Sequence, residues 1–238
     1  MYTQDNQVQW DFMEDVMRET VIGTVLSSKL IAIVRGLPED KIIPLTRAIN
    51  AGGIKLIEVT FNQKDPGSFA STARAIRAIE REFGKEVLAG AGTVCTEEQL
   101  KMAADAGALF MISPNTNTSL IGQVRKMGLV SIPGAMTPSE CMTAHDAGAD
   151  FVKLFPAGDL GPAYLKAISA PLNHIRFLAV GGITENNVKD YLAAGAKGFG
   201  IGGNLVNREW IETGKYDKIT SLAKDFVNAV IAGDAEES

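Results

Sequence analysis

Short apolar segments, each followed by a stretch with helical periodicity, recur along nearly the whole chain, and this recurrence restricts the fold more than any other feature. The strand-like segments are 30–35, 54–61, 87–90, 109–113, 129–133, 151–155, 176–180 and 198–201. They follow one another at about 20 to 30 residues, the length of a strand, a loop, a helix and a second loop. Thr96-Glu97-Glu98-Gln99 and Thr137-Pro138-Ser139-Glu140 read as capping boxes, the second with proline at the first helical position. Ala51-Gly52, Ala106-Gly107, Ala147-Gly148 and Ala194-Gly195 read as helix C-caps leading into the next strand. Eight strands alternating with eight helices predict an α/β fold of the (β/α)8 TIM barrel type. The alternative is a doubly wound open sheet, which would carry phosphate-binding glycines after its first strand, whereas here they come late. Segment 10–27 reads as an amphipathic helix within an N-terminal extension, 1–29, and 233–238 reads as a frayed acidic tail. No linker-like or low-complexity stretch interrupts the alternation, so residues 1–238 are expected to form one barrel domain.

Composition narrows the function. A formal net charge of -5 over 238 residues offers no basic surface to a phosphodiester backbone, so no nucleic-acid partner is expected. The start of the chain lacks the cationic and apolar regions of a secretory signal, and no apolar stretch is long enough to span a bilayer; cytoplasmic residence without membrane association is the expectation. Cys95 and Cys141 are too few for a disulfide framework, and their spacing is not that of metal ligands. His145 and His174 stand isolated, in a helix-like and a loop-like context, so no metal site is expected. Met102 and Phe110 read as core.

Charge inside apolar runs is the sign of chemistry. Lys153 stands in Phe151-Val152-Lys153-Leu154-Phe155-Pro156, where burial of an ammonium costs several kcal/mol unless the amine loses its proton or finds a partner. A neutral amine is a nucleophile, and lysines activated in this way form imines with carbonyl substrates. The plain alternative is a strand-end lysine that snorkels to water. Strand alternation places Glu58 and Thr60 on one face and Ile57, Val59 and Phe61 on the other, so Glu58 is expected to point into the barrel. There it is either the structural ion-pair partner of Lys153 or a general acid/base tuned by burial.

In a barrel the active site is built at the C-terminal strand ends. Gly90-Ala91-Gly92-Thr93 and Ser113-Pro114-Asn115 bring small polar groups there. Gly181-Gly182 and Gly200-Ile201-Gly202-Gly203-Asn204 follow the last two strands, where backbone amides commonly cradle a phosphate; the alternative is that these glycines serve only tight turns. Arg35 closes the first strand and is placed to hold a substrate carboxylate, or else lies on the surface.

Taken together and in order, Ile57-Glu58-Val59-Thr60, Gly90-Ala91-Gly92-Thr93-Val94, Ile112-Ser113-Pro114, Ile132-Pro133-Gly134, Lys153-Leu154-Phe155-Pro156-Ala157 and Val180-Gly181-Gly182-Ile183 resemble the 2-keto-3-deoxy-6-phosphogluconate aldolases, often also 4-hydroxy-2-oxoglutarate aldolases. The resemblance runs from about Leu30 to the last helix. It implies a homotrimeric, metal-independent aldolase without a cofactor, acting on a small phosphorylated 2-keto acid. Lys153 would form the imine and Glu58 would move protons. Thr93 would line the pyruvate pocket, with Thr60, Ser113, Pro114 and Phe155 among the substrate-binding residues, and Gly181, Gly182, Gly202 and Gly203 would hold the phosphate. The expected reaction yields pyruvate and glyceraldehyde 3-phosphate, or pyruvate and glyoxylate from 4-hydroxy-2-oxoglutarate.

Three positions depart from the gluconate pattern. Asn62 stands where arginine is frequent, Val180 replaces a threonine, and Gly203 replaces a serine. Asn62, Val180 and the segment 161–166 look similar to the branch that cleaves the galactonate epimer. Loss of the arginine shifts expected carboxylate binding to Arg35. A non-catalytic phosphosugar-binding barrel is the more distant alternative, although it has no use for a buried lysine and an inward glutamate. Trp10 and Trp210, near expected helix ends, are candidates for subunit contacts.

Overall fold

The computed structural model describes residues 4–237, with side chains described over 16–236. Helix α1 (Gln4–Ser28) precedes β1 (Leu30–Arg35). Then come α2 (Glu39–Ala51), β2 (Leu56–Thr60), α3 (Phe69–Phe83), β3 (Leu88–Gly92), α4 (Glu97–Asp105), β4 (Phe110–Ile112), α5 (Thr118–Lys126) and β5 (Val130–Ile132). The second half runs β6 (Gly134–Ala135), α6 (Pro138–Asp146), β7 (Val152–Leu154), α7 (Ala157–Ser169), β8 (Phe177–Val180), α8 (Val188–Ala193), β9 (Gly198–Ile201), α9 (Arg208–Glu212) and α10 (Tyr216–Glu237).

All strand pairs are parallel, in the order β5-β4-β3-β2-β1-β9-β8-β7-β6. The two ends of that order, β5 and β6, are separated only by Pro133, so they are one interrupted strand and the sheet closes on itself. Proline has no N–H to give to a ladder. Its carbonyl still accepts from Lys153 N–H at 2.9 Å, and Ser131 O accepts from Phe151 N–H at 3.3 Å, which carries β7 past the break. The expected eight-stranded barrel is therefore present, with its fifth strand in two pieces.

Strand alternation divides the apolar residues into two sets. Ala32, Val34, Ile57, Val59, Ala89, Ala91, Leu154 and Phe199 face outward and pack under the helices. Ile31, Leu56, Leu88, Phe110, Ile112, Val130, Ile132, Phe151 and Leu178 fill the barrel. Val21, Ile22 and Val25 of α1 join this inner cluster and seal its N-terminal end. Asp150 fastens the seal: its side chain, 4% exposed, accepts from Arg18 of α1, from Arg125 at 3.0 Å and from Ser131 N–H at 2.9 Å.

Both capping boxes form as expected, with Gln99 and Glu140 closing them. Gly107, Gly148 and Gly195 take the left-handed conformation after their helices, whereas after α2 it is Gly53, not Gly52, that does so. The tail expected to fray is helical through Glu237. A Cβ on Gly233 would lie 2.5 Å from Leu192 Cδ1, so this glycine lets α10 approach α8, and Lys29–Asp234 and Lys189–Glu236 pairs hold the turn. Trp210 is half-buried on the outer core, 5.6 Å from Lys218 Nζ; the side chain of Trp10 lies outside the described residues. Among the described residues no helix is long and apolar enough to cross a membrane.

Candidate active site

Register places the candidate residues in layers. Ile33, Glu58 and Gly90 are adjacent across β1, β2 and β3, and Arg35, Thr60 and Gly92 form the layer above, at the C-terminal mouth. Lys153 on β7 is flanked by Gly134 and Leu178. Both charged side chains are buried, Glu58 at 1% and Lys153 at 5% exposure, so the lysine does not snorkel to water.

Their electrostatics follow from that burial. Desolvation raises the Glu58 carboxyl above its ordinary range, against the weaker pull of the Lys153 and Arg35 charges. Desolvation lowers the Lys153 ammonium; Glu58 opposes this, and the Arg35 charge adds to it. No ion pair within 4.0 Å joins the two, and Glu58 Oε2 is buried with no hydrogen-bond partner. This corrects the expectation of a structural ion pair: the carboxylate is left with an unused acceptor inside the barrel. Lys153 Nζ lies 4.8 Å from the centroid of the half-buried Phe155 ring.

Glycines make the space. A Cβ on Gly92 would lie 1.6 Å from Glu58 Oε1, so only glycine there admits the carboxylate. A Cβ on Gly134 would meet Pro114 O at 2.4 Å, which lets the loop after β4 close over the interrupted strand. Thr93, next in the chain, sits at φ +55°, a left-handed conformation unusual for a β-branched residue.

The remaining expected residues ring the mouth. Arg35 is exposed, yet its charge acts on both Glu58 and Lys153. Arg35, Thr60, Asn62 and Thr93 line a groove of about 850 Å³ that also receives Lys64 and Arg208. Ser113 is buried and its hydroxyl donates to Asn115 O at 2.8 Å, so it shapes its own loop; Pro114 is exposed beside it. Gly181 and Gly182 take φ +93° and +71°, and Gly158 N–H at the start of α7 donates to Gly181 O at 2.7 Å. Open space lies over Gly202 and Gly203, and Asn204 Nδ2 ties their loop to Ile183 O at 2.8 Å. These late glycines thus converge in one rim, a backbone surface suited to an anion.

One expectation is overturned away from this mouth. His145 and His174 are not isolated: their rings meet edge to face at 4.8 Å, beside Asp150 and Arg176. The loop preceding β8 returns to the end of α6, a contact invisible in sequence spacing. Among the described residues no three His, Cys, Asp or Glu side chains converge as metal ligands would.

A family model described as "KDPG and KHG aldolase" matches residues 21–222. The chain belongs to the KDPG and KHG aldolase family. It is 38% identical over 187 residues to the "KHG/KDPG aldolase" of Escherichia coli (strain K12), covering 78% of this chain and 84% of that protein. It is 39% identical over 177 residues to the "Probable 2-dehydro-3-deoxy-6-phosphogalactonate aldolase" of Rhizobium meliloti (strain 1021), covering 74% and 81%. Among solved structures it resembles the KDPG aldolase of Legionella pneumophila "with pyruvate captured at low pH as a covalent carbinolamine intermediate", with a TM-score of 0.77, 31% identity and coverage of 85% and 96%.

Within this aldolase framework, sequence reasoning missed the steric role of Gly92 and the approach of Gly158, where a Cβ would lie 2.8 Å from Gly182 Cα. Cys95 follows two residues after Thr93, and burial raises its half-buried thiol against the weaker pull of the Lys153 charge. The signal for Gly92 was present: a glycine beside an inward carboxylate on the neighbouring strand.

Proposed function

We propose that the chain is a class I aldolase that cleaves a 2-keto-3-deoxy-6-phospho-sugar acid of the gluconate type to pyruvate and glyceraldehyde 3-phosphate, with 4-hydroxy-2-oxoglutarate as a second substrate. The observation that carries this reading is the burial in one barrel of Lys153, whose ammonium is disfavoured by desolvation, and of an inward Glu58 whose Oε2 has no partner.

The neutral Lys153 amine attacks the keto carbon, giving a carbinolamine. Glu58, whose protonated form burial favours, delivers a proton to the departing hydroxyl as water leaves and the iminium forms. The resulting Glu58 carboxylate takes the proton of the C4 hydroxyl, the C3–C4 bond breaks, and its electrons pass into the iminium to leave an enamine of pyruvate. Protonation at C3 and hydrolysis release pyruvate and restore the amine. Arg35 holds the carboxylate, Thr60, Asn62, Thr93, Ser113, Pro114 and Phe155 shape the pocket, and the amides around Gly181, Gly182, Gly202 and Gly203 hold the phosphate.

Asn62 and Val180 support a second reading, the galactonate epimer as preferred substrate. Val180 lies on the inner face of β8, where its methyls would lie about 3 Å from a Cβ on Gly200, so a hydroxyl is missing from the wall itself. The proposal includes a homotrimer in the cytoplasm, serving carbohydrate breakdown.

The test is intact mass after wild type and Lys153→Ala are incubated with pyruvate and borohydride. Gain of one reduced pyruvyl unit in wild type alone establishes the imine. A folded wild type that gains no mass sinks the proposal in favour of a phosphate-binding barrel.

A further inference from the structure

Gln99 and Gln63 form a chain of amide hydrogen bonds behind the mouth. Gln99 is fully buried, at 0% exposure. Its Oε1 accepts from Cys95 N–H at 2.7 Å and from Thr96 N–H at 3.2 Å, and its Nε2 donates to Gln63 Oε1 at 3.0 Å. Gln63 Nε2 in turn donates to Thr93 O at 2.7 Å.

The direction of this chain is fixed at both ends. Backbone N–H groups only donate and a backbone carbonyl only accepts, so each side-chain amide has one orientation that satisfies its neighbours. That explains why the capping box closes with glutamine. A glutamate would accept from Cys95 and Thr96 equally well, yet would have nothing to give Gln63.

What the chain holds borders the candidate site. Thr93 is kept in a left-handed conformation unusual for its type, next to Gly92, on whose missing Cβ the Glu58 carboxylate depends. Gln63 follows Asn62, so the same bonds join the loops after β2 and β3, and both Gln63 and Thr93 border the groove at the mouth.

We infer that Gln63 and Gln99 are positioning residues, which hold Thr93 and the Asn62 loop in the geometry that binds the 2-keto acid. The inference rests on the aldolase reading and adds to it residues that touch no reacting atom.

The test is steady-state cleavage of 2-keto-3-deoxy-6-phosphogluconate by Gln63→Glu and Gln99→Glu, with the melting temperature and the pyruvate–borohydride adduct measured on the same preparations. Gln63→Glu keeps an acceptor for Gln99 and sets an anion against the Thr93 carbonyl, whereas Gln99→Glu keeps the capping box and loses the donor to Gln63. Both are expected to raise KM about tenfold, the equivalent of one hydrogen bond of about 1.4 kcal/mol, with kcat within about twofold and the adduct retained. In a Thr93→Val background the Gln63→Glu effect is expected to shrink, because coupled residues are not additive. Unchanged KM in both variants while wild type forms the adduct overturns the inference alone, as does a loss of activity that follows melting temperature. Absence of the adduct in wild type overturns the aldolase reading and this inference with it.

Discussion

Replacing Gly92 by alanine tests whether the Glu58 carboxylate is placed by the emptiness beside it. The new Cβ would lie 1.6 Å from Glu58 Oε1, 2.4 Å from Cδ and 2.6 Å from Cγ. Ordinary contact needs about 3.5 Å, so the carboxylate must retreat by roughly 2 Å or the strand must shift. The strand is held by the register Leu56↔Leu88 through Thr60↔Gly92, so the side chain gives way. A misplacement of about 1 Å in a catalytic constellation can cost about 10²-fold, so kcat is expected to fall at least that far. Overpacking itself is expected to cost about 1 to 3 kcal/mol. Gly90→Ala supplies the comparison: the atoms nearest its Cβ would be those of the Phe110 ring, from 2.2 Å, so its principal clash is with the apolar interior, whereas that of Gly92→Ala is with the Glu58 carboxylate. The assay is kcat per folded enzyme, with folded fraction from urea unfolding. Equal losses of kcat in the two variants would refute the reasoning.

Three further outcomes are expected. Because the folded pKa of Lys153 is depressed, its contribution to stability is complete above the ordinary value of 10.5 and is lost as pH falls through the folded value; Lys153→Met should flatten that limb of a stability-versus-pH curve while losing the pyruvate adduct. Arg18→Ala removes one partner of the buried Asp150 and loosens α1; a loss of about 3 kcal/mol in urea, with Arg125 left as partial compensation, is expected, and an unchanged midpoint would show that α1 is held by its apolar face alone. Val180→Thr restores a hydroxyl on the inner wall and is expected to shift the kcat/KM ratio toward the gluconate epimer about tenfold; kinetics on both epimers check this, and an unmoved ratio counts against a specificity role.

The barrel was legible because its strands are apolar runs with period-2 alternation and its helices carry explicit caps. Lys153 and Glu58 were legible for the converse reason, that a charge within such a run is costly enough to need a purpose. The break at Pro133 escaped, since proline at the end of an apolar run reads as its boundary rather than an interruption. Gly233 with acidic neighbours read as fraying, although the same glycine is what packing against Leu192 requires. The histidine pair and the Gln63–Gln99 bonds were beyond reach for a common reason: each joins side chains from different units, and a capping glutamine displays its cap while concealing its second amide function.

Val21, Ile22 and Val25 pack into one end of the barrel, and the proposed reaction uses the other end as its door. Substrate enters with its keto group toward Lys153 and its phosphate toward the rim, and departure must reverse that order. The aldehyde half, nearer the exit and bound by no covalent bond, leaves while the pyruvate half is still attached to the enzyme beneath it. In the condensing direction pyruvate must arrive first, because an aldehyde already seated would bar its way. Architecture at the floor of the barrel thereby sets a queue at its mouth, and product inhibition should record it: pyruvate competes with the substrate for free enzyme, whereas the aldehyde meets only the enzyme already carrying pyruvate.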